Sequence, residues 1–386
     1  MSAPTIYLPH HLRKQLARGH PWIYRRQIAR PPSLPSGTWV RVVCGKAAAF
    51  GLWDARSPIA VRLFSHRQKP DAGWIARRVR VAWQARQAVR AGRTTAYRWL
   101  YGEGDGVPGV VVDLYGEYAV LQSYADSLDA VVPWVVSGLR ACTGLKGVLR
   151  RDSAGGRVTS LWGRRPRQDI VVQENGLRLA VNLFEGQKTG LFLDHRENRR
   201  YLEPWCAGKR VLNCFAYTGA FTLYAVRGGA TEVISVDIAP QTAQAARRNL
   251  TLNGFDPDAH PFIVADCFDL LDRYAAQQER FDLIILDPPS LARAKKARHA
   301  AIRAYARLNQ AAMRCLPPGG LLATASCTGQ VSPQDFRDLL GDAAARAGKR
   351  FLIIHEAGQA IDHPVPAHFP QGRYLKFVLG RVRDVV

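Results

Sequence analysis

The sequence predicts an α/β protein whose C-terminal part is a seven-stranded, mostly parallel, doubly wound sheet. A small β-rich domain over residues 1–68 and a central α+β domain over residues 69–183 precede this sheet, which occupies residues 184–386. Short apolar runs that alternate with helical segments indicate the sheet. The seven predicted strands are 209–213, 231–236, 260–264, 281–286, 319–325, 350–357 and 373–380. Only a loop joins the last two strands, so we expect an antiparallel hairpin there.

Charge and aromatic residues near the start of the chain favour a nucleic-acid partner. Residues 1–100 contain 19 Lys and Arg but only two acids, a net charge of +17 out of +23 for the whole chain. Because this excess is confined to one end, it favours nucleic acid over an ordinary solvated surface. In the segment WIYRR, two aromatic residues lie beside the predicted RNA-binding residues Arg25 and Arg26. The two aromatics can equally be the core of a small domain.

Several classes of protein are disfavoured by what the sequence lacks. No apolar run approaches the length of a membrane span, and MSAPTIYLPHHLRKQ has no signal-peptide core. The seven cysteines are scattered without a C-x-x-C pair, which predicts neither a disulfide framework nor a metal site. We therefore expect a cytoplasmic protein without a membrane partner.

Polar groups end the first four predicted strands, in the segments VLNCFAYTGAF, VISVDIA, FIVADCF and LIILDPPS. The acids in the last three segments are Asp237, Asp266 and Asp287. The carboxyl ends of parallel strands meet along one edge, where ligands of open α/β folds bind. A nucleoside cofactor needs close backbone at the first end, a carboxylate for ribose at the second and a polar contact for its base at the third. The fourth end then faces the group that is modified.

The turn after the first strand favours a cofactor without phosphates. It runs from Asn213 to Gly219 with a single glycine, whereas a dehydrogenase shows G-x-G-x-x-G there. Asp237 follows Asn213 by 24 residues, close to the spacing at which an acid reaches ribose hydroxyls. S-adenosylmethionine fits these features, although an acid at a strand end is also a common helix cap. Taken together and in order, the motifs indicate a methyltransferase.

The motifs also carry a resemblance to a known family that covers essentially the whole chain. The segments QENGLRLAVNLFEGQKTGLFLDHRENR, VLNCFAYTGAFTLYA, VDIAPQTAQAARRNLTLNG, LDPPS and ATASC resemble the RlmI-like family of bacterial 23S rRNA cytosine-C5 methyltransferases. ARGHPWIYRRQI resembles the PUA-type RNA-binding domain of that family, and EGDGVPGVVVDLYGEYAVLQ resembles its central domain. The resemblance implies a Rossmann-like class I methyltransferase behind a PUA-like domain. The implied partner is 23S rRNA or a large-subunit assembly intermediate, and a homodimer is compatible with it.

The resemblance implies a role for each motif in binding S-adenosylmethionine. Asn213, Phe215 and Gly219 shape the methionine end. Asp237 holds the ribose, and Asp266 holds the adenine amino group. The residues that close the site from the preceding segment are Lys188, Phe192 and Asp194. The predicted cofactor-binding set also includes Tyr217, Ile238, Cys267 and Asp287.

Methylation at carbon 5 of cytosine requires covalent activation, since that carbon is a poor nucleophile. A thiolate that adds to carbon 6 turns the ring into an enamine, and an acid must protonate or bond ring N3. We predict that Cys327, after the fifth strand, is the nucleophile and that Asp287, at the neighbouring strand end, is the N3 partner. The family commonly reads S-C-S-x-H at this point, whereas residues 326–330 are SCTGQ. The base that removes the carbon 5 proton is therefore unassigned.

A basic segment directly follows DPPS, and we expect it to grip the RNA backbone. The predicted contacts there are Arg293, Lys295, Lys296 and Arg298. The alternative is a solvated helix face. Two rival functions remain open: a methyltransferase acting on an exocyclic nitrogen of RNA, in which an aromatic residue takes the place of Ser290, and a non-catalytic RNA-binding assembly factor. The absent glycine fingerprint disfavours a dehydrogenase.

Overall fold

The computed structural model describes residues 3–152, 156–186, 188–292 and 294–385. Two compact units divide the chain. The first unit comprises Met1–Gly176, Val181–Leu193 and Ile361–Gly372, and the second comprises Leu177–Ala180, Asp194–Ala360 and Arg373–Val386. The sequence predicts three domains with boundaries at residues 68 and 183. These two boundaries stay predictions.

A five-stranded sheet forms the N-terminal part of the first unit, in the order β1-β3-β4-β5-β2. Its elements are β1 (Thr5–Tyr7), α1 (Arg13–Ala17), β2 (Trp22–Tyr24), β3 (Trp39–Cys44), β4 (Ala47–Trp53) and β5 (Ile59–Ser65). Val40 and Val42 point into its core because alternate residues of a strand face the same side. Gly51 permits close strand approach, since a Cβ there would lie 2.4 Å from the carbonyl oxygen of Arg62.

The central part of the first unit contains a second five-stranded sheet, in the order β10-β9-β8-β7-β6. Its elements are α2 (Ala72–Ala85), α3 (Gln87–Ala91), β6 (Ala96–Tyr101), β7 (Val110–Tyr115), β8 (Tyr118–Ser123), α4 (Val132–Arg140), β9 (Gly147–Arg151) and β10 (Val158–Gly163). Asp71 begins α2 by accepting a hydrogen bond from the Trp74 amide at 2.7 Å. Ile75 and Val79 of α2 are completely buried. The strands β11 (Ile170–Glu174) and β12 (Leu177–Val181) follow.

The second unit is built on the predicted seven-stranded sheet, in the order β15-β14-β13-β16-β17-β19-β18. Its strands are β13 (Arg210–Cys214), β14 (Glu232–Asp237), β15 (Phe262–Val264), β16 (Leu283–Leu286), β17 (Leu321–Ser326), β18 (Lys349–Ala357) and β19 (Lys376–Asp384). The first five strands are parallel, and β19 is antiparallel to both β17 and β18. The doubly wound sheet with its terminal antiparallel hairpin is therefore confirmed, and each predicted strand overlaps an observed one.

Helices cover both faces of this sheet. They are α5 (Arg196–Leu202), α6 (Ala220–Arg227), α7 (Pro240–Leu252), α8 (Cys267–Ala276), α9 (Arg298–Arg314) and α10 (Pro333–Arg346). Leu212 and Ile284 point to the face covered by α8, α9 and α10, whereas Val211 and Leu283 point to the face covered by α5 and α6. This alternation explains why the strands read as continuous apolar runs. Among the helices described, none is long and apolar enough to cross a membrane.

Candidate active site at the carboxyl ends of the strands

The turn after β13 has a strained backbone. Phe215 and Tyr217 have φ angles of 61° and 49°, and Gly219 has a φ of 80°. Left-handed conformations are costly for residues with a side chain, and such strain concentrates at ligand sites. At Gly219 a Cβ would also lie 3.2 Å from that of Ala246 on α7, so both space and conformation favour glycine. The turn thus presents its backbone at the edge of the sheet.

Asp237 at the end of β14 holds this turn and keeps room for a ligand. Its Oδ2 accepts a hydrogen bond from the Tyr217 amide at 2.9 Å, and its Oδ1 accepts one from the Ala239 amide at 3.0 Å. A carboxylate has about four lone-pair positions, so about two remain for the hydroxyls of a ribose. Ile238 is 66% exposed, and Val264, opposite Asp237 on β15, is 47% exposed. These two apolar side chains fit the face of a purine ring.

Asp266 after β15 is a helix cap as well as a candidate adenine contact. Its Oδ1 accepts hydrogen bonds from the Phe268 amide at 2.7 Å and the Asp269 amide at 3.4 Å. These two bonds cap the start of α8. Asp266 is therefore a helix cap, and the cap uses only one of its two carboxylate oxygens. From the residues that the structure describes, Oδ2 accepts no hydrogen bond, so that oxygen can receive one from an amino group.

Asn213 and Cys267 support the turn from behind. The side chain of Asn213 is buried, and its Nδ2 donates to Thr222 Oγ1 at 2.9 Å. This bond ties β13 to α6. Cys267 Sγ accepts from the Phe215 amide at 3.3 Å. Its neighbour Cys214 has a pKa held well above the ordinary thiol value by a hydrogen bond with Cys267 and by burial. Cys214 is therefore a packing residue, and Cys267 supports the turn; the contact of Cys267 with the cofactor stays a prediction.

Asp287 and Cys327 follow the adjacent parallel strands β16 and β17. Cys327 is half-buried, and its Sγ lies 4.0 Å from the carbonyl oxygen of Pro288. Thr328 Oγ1 donates to the Ala292 carbonyl at 2.7 Å, which fixes the loop after Cys327 against the loop after DPPS. The structure thus brings the predicted nucleophile and the predicted N3 partner to neighbouring positions at one edge. All seven cysteines are among the described residues, and none is in a disulfide.

His195 is a site residue that the sequence analysis missed. Its Nε2 lies 3.2 Å from Oδ1 of Asp287, although the contact is off the line of a good hydrogen bond. The side-chain Nδ2 of Asn198 donates to the Gly358 carbonyl at 3.2 Å and faces His195 Nδ1 at 3.1 Å. Because that nitrogen is a donor, Nδ1 must accept, which puts the proton of a neutral ring on Nε2, toward Asp287. The sequence signal for His195 is its place in FLDHRENR, the end of the first segment that carries the family resemblance.

The three residues predicted to close the cofactor site fall in different units. Lys188 and Phe192 belong to the first unit, where Lys188 Nζ lies 4.1 Å from the Phe192 ring centroid. Asp194 belongs to the second unit and accepts a hydrogen bond from the Tyr374 hydroxyl at 2.6 Å. Their closing role stays a prediction.

The basic residues of the N-terminal sheet line a cleft of about 570 Å³. Tyr24, Arg25, Arg26 and Pro58 form its walls. Arg26 is exposed, and its guanidinium lies 5.7 Å from the Tyr24 ring centroid. Arg25 is half-buried, and its Nη2 donates to the Ser57 carbonyl at 3.0 Å, so it also stabilises its own domain. An exposed guanidinium over an aromatic ring suits the contact with a nucleic acid that the sequence predicts.

Trp22 is partly explained by packing, as the alternative reading of the aromatic segment proposes. Its indole nitrogen donates to Glu103 Oε1 at 2.8 Å, and its ring meets that of Phe369 edge to face at 4.6 Å. Both partners lie in the first unit. Tyr24 therefore remains the better candidate of the two for stacking on a base.

The basic segment after DPPS is only partly described. Arg293 and the side chain of Lys295 lie outside the described residues. Lys296 is exposed at the residues preceding α9. Arg298 donates to Asp335 Oδ1 at 2.7 Å, which links α9 to the start of α10. Arg298 therefore has a structural partner already, and Lys296 is the better candidate for a phosphate contact.

The sheet order and the polar edge together define the class of the protein, and comparison with known proteins agrees. A family model for S-adenosylmethionine-dependent methyltransferases matches residues 114–364, and one for PUA-like domains matches residues 6–66. The ribosomal RNA large subunit methyltransferase I of Aeromonas salmonicida is 35% identical over 392 residues, covering 98% of this chain and 99% of its own. That of Shewanella amazonensis is 36% identical over 383 residues, covering 96% and 97%. The chain belongs to the ribosomal RNA large subunit methyltransferase I family.

Solved structures show the same fold. A putative methyltransferase from Streptococcus mutans has a TM-score of 0.87 at 22% identity and covers 98% of this chain and 100% of its own. A putative methyltransferase complexed with SAH has the same TM-score at 23% identity. The cofactor of this chain is S-adenosylmethionine. The strained turn after β13, the carboxylate of Asp237 and the exposed side chain of Ile238 are compatible with this cofactor.

Proposed function

We propose that the chain methylates carbon 5 of a cytidine in 23S rRNA, through a covalent bond between Cys327 and carbon 6. The observation that supports this best is the thiol of Cys327 beside the DPPS loop, 4.0 Å from the carbonyl of the residue after Asp287. An exocyclic-nitrogen methyltransferase has no use for a thiol there. We further propose that the enzyme acts in the cytoplasm, on 23S rRNA or a large-subunit assembly intermediate.

The proposed reaction gives each of the two side chains one task. The target base first leaves its stack so that it can reach the edge of the sheet. The thiolate of Cys327 adds to carbon 6 while Asp287 gives a proton to ring N3, which makes carbon 5 nucleophilic. Bound S-adenosylmethionine supplies the electrophilic methyl group. Loss of the carbon 5 proton to a base then expels the thiolate, and Asp287 regains its proton from N3.

The same edge is proposed to bind the cofactor. Asp237 holds the ribose through the lone pairs that its two backbone contacts leave, and Asp266 accepts from the adenine amino group through Oδ2. Phe215, Tyr217 and Gly219 shape the methionine end, with Asn213 and Cys267 fixing the turn behind them. Ile238 covers one face of the adenine. Lys188, Phe192 and Asp194 are proposed to close the site.

Asp237→Ala is expected to weaken S-adenosylhomocysteine binding by about 10–100-fold, since hydrogen bonds to a charged group contribute about 1.5–3 kcal/mol. Isothermal titration calorimetry measures this loss. Asp237→Asn keeps one acceptor oxygen and should lose less affinity. Asp258→Ala removes an exposed acid on the same unit and serves as the control, because that carboxylate pairs only at the surface with Arg247. Unchanged affinity in Asp237→Ala would remove the carboxylate from the cofactor site.

Arg26→Ala is expected to weaken binding of a 23S rRNA fragment and to lower the slope of log affinity against log salt by about 1, because one phosphate contact is lost. Filter binding at several salt concentrations measures both quantities. Arg337→Ala is the matched control, since this exposed arginine pairs with Glu356 on the second unit. Equal salt slopes for Arg26→Ala and the parent protein would show that Arg26 makes no phosphate contact.

Nucleoside mass spectrometry of 23S rRNA tests the proposed function. Cells that lack the protein should lose one 5-methylcytidine, and a plasmid copy should restore it. Loss of a methylated purine or of N4-methylcytidine would instead assign the chain to the exocyclic class. An unchanged set of modified nucleosides, together with binding to ribosomal precursors, would favour the non-catalytic assembly factor.

A further inference from the structure

Lys376 is a buried lysine beside the proposed nucleophile. It begins β19, directly opposite Ser326 on β17, and Ser326 immediately precedes Cys327. Opposed residues of an antiparallel pair point to the same face, so the long side chain of Lys376 runs along the end of β17. The residue is only 4% exposed, which is unusual for lysine outside a functional or paired setting.

The surroundings of the Lys376 ammonium supply carbonyls but no close acid. Its Nζ donates to the carbonyl of Thr328, the residue after Cys327, and to the carbonyl of Tyr374 at 2.9 Å. Among the residues that the structure describes, no carboxylate lies within ion-pair distance of Nζ. A buried ammonium without a carboxylate partner is costly, and another negative group nearby would reduce that cost.

The charges that act on Lys376 point to Cys327 as that group. Burial lowers the pKa of Lys376 to about 8, while the negative charge of the Cys327 thiolate acts to raise it. The positive charge of Arg373 lowers the pKa of Lys376, and the negative charge of Asp335 raises it. Tyr305, which also interacts electrostatically with Cys327, is neutral because burial raises its pKa to about 12. At neutral pH the amine is still mostly protonated.

We propose that Lys376 is a positioning residue for the methylation reaction, whose ammonium stabilises the thiolate of Cys327 and fixes the loop that carries it. The thiol proton passes to solvent, the sulfur keeps the electron pair, and the ammonium keeps its three protons throughout. The inference rests on the proposed function, in which Cys327 is the nucleophile. A lysine next to a cysteine is one of the environments that lower a thiol pKa.

The pH dependence of thiol alkylation tests this inference without requiring turnover. The full-length protein, Lys376→Gln and Lys376→Arg are treated with iodoacetamide between pH 5 and pH 10, and modification of the Cys327 peptide is followed by mass spectrometry. The parent midpoint should lie below the ordinary thiol value of about 8.5. Lys376→Gln should move the midpoint up by about one unit and slow alkylation about tenfold at low pH, because the charge is gone. Lys376→Arg should keep the parent midpoint.

A matched control removes the same charge from the far end of the same hairpin. Lys349→Gln alters the first residue of β18, whose amine pairs with Asp384 at the opposite end of β19, roughly 27 Å along the strand from Lys376. It should leave the alkylation midpoint unchanged. If Lys376→Gln does not fold, Lys376→Arg still decides, since the inference requires a lowered midpoint in both the parent and this variant.

The outcomes separate this inference from the proposed function. An ordinary midpoint in the parent protein, or one that Lys376→Gln leaves in place, would overturn the role of Lys376. A lowered midpoint that depends on Lys376, in a protein that forms no 5-methylcytidine, would support the ion pair and contradict the proposed reaction. Formation of 5-methylcytidine through Cys327, with an alkylation midpoint that does not depend on Lys376, would support the proposed reaction and contradict the role of Lys376.

Discussion

Cys327→Ala is expected to lower the rate of methyl transfer to 23S rRNA by at least about 10⁴-fold, because the proposed reaction assigns the bond to carbon 6 to this thiol. Cys327 is half-buried, and its side chain exceeds that of alanine by one sulfur atom, so the variant should stay folded. Binding of S-adenosylhomocysteine should also be retained, since the cofactor residues follow other strands. Single-turnover transfer of a labelled methyl group, with calorimetry of cofactor binding, measures both effects.

The matched control for this variant is Cys142→Ala. Cys142 is half-buried in the first unit, and burial raises the pKa of its thiol, so it is a poor nucleophile. Its loss should leave the rate within about twofold of the parent. Methyl transfer to carbon 5 that persists in Cys327→Ala would contradict the covalent mechanism.

Asp287→Asn is expected to slow methyl transfer by about 10²–10⁴-fold, the usual contribution of a positioned acid, because an amide cannot pass a proton to ring N3. The effect should fall more on kcat than on cofactor affinity, because Asp287 is also predicted to contact the cofactor and an amide keeps one acceptor oxygen. The Nε2–H of His195 also faces Asp287 Oδ1 at 3.2 Å, so an amide nitrogen turned toward it would meet another donor.

Asp282→Asn is the matched control, because Asp282 is a carboxylate beside the other end of β16. Asp282 precedes β16 at the opposite edge of the sheet, where its Oδ2 accepts from the Arg210 amide at 2.8 Å. This change should cost stability but leave the rate of the folded protein unchanged. If both variants slowed the reaction equally, the loss would reflect the strand and not acid catalysis at Asp287.

The sheet and the ends of its strands could be predicted because each is encoded locally. A buried parallel strand is a continuous apolar run, and the side chain that follows it is fixed at the carboxyl edge. Asp237, Asp266 and Asp287 therefore lie where the pattern predicts. The role of Asp266 as a helix cap is just as local, and a pattern alone does not separate the two uses of one carboxylate.

Contacts between distant segments could not be predicted in this way. His195 meets Asp287 only because α5 and β16 pack in one unit, and a lone histidine in sequence has no periodic signal. Lys376 resembles any lysine at a strand start until β17 and β19 are paired. The same limit applies to Arg298. The sequence predicts that it contacts RNA, whereas in the structure it pairs with Asp335.

Trapping with RNA that contains 5-fluorocytidine tests the covalent mechanism most directly. Fluorine at carbon 5 cannot leave as a proton does, so the adduct with the enzyme persists after methyl transfer. We expect a stable protein–RNA complex that requires S-adenosylmethionine, maps to the Cys327 peptide and is absent in Cys327→Ala. Transfer of the methyl group to carbon 5 of unmodified RNA, with no adduct to the fluorinated RNA or with an adduct at another cysteine, would contradict the account.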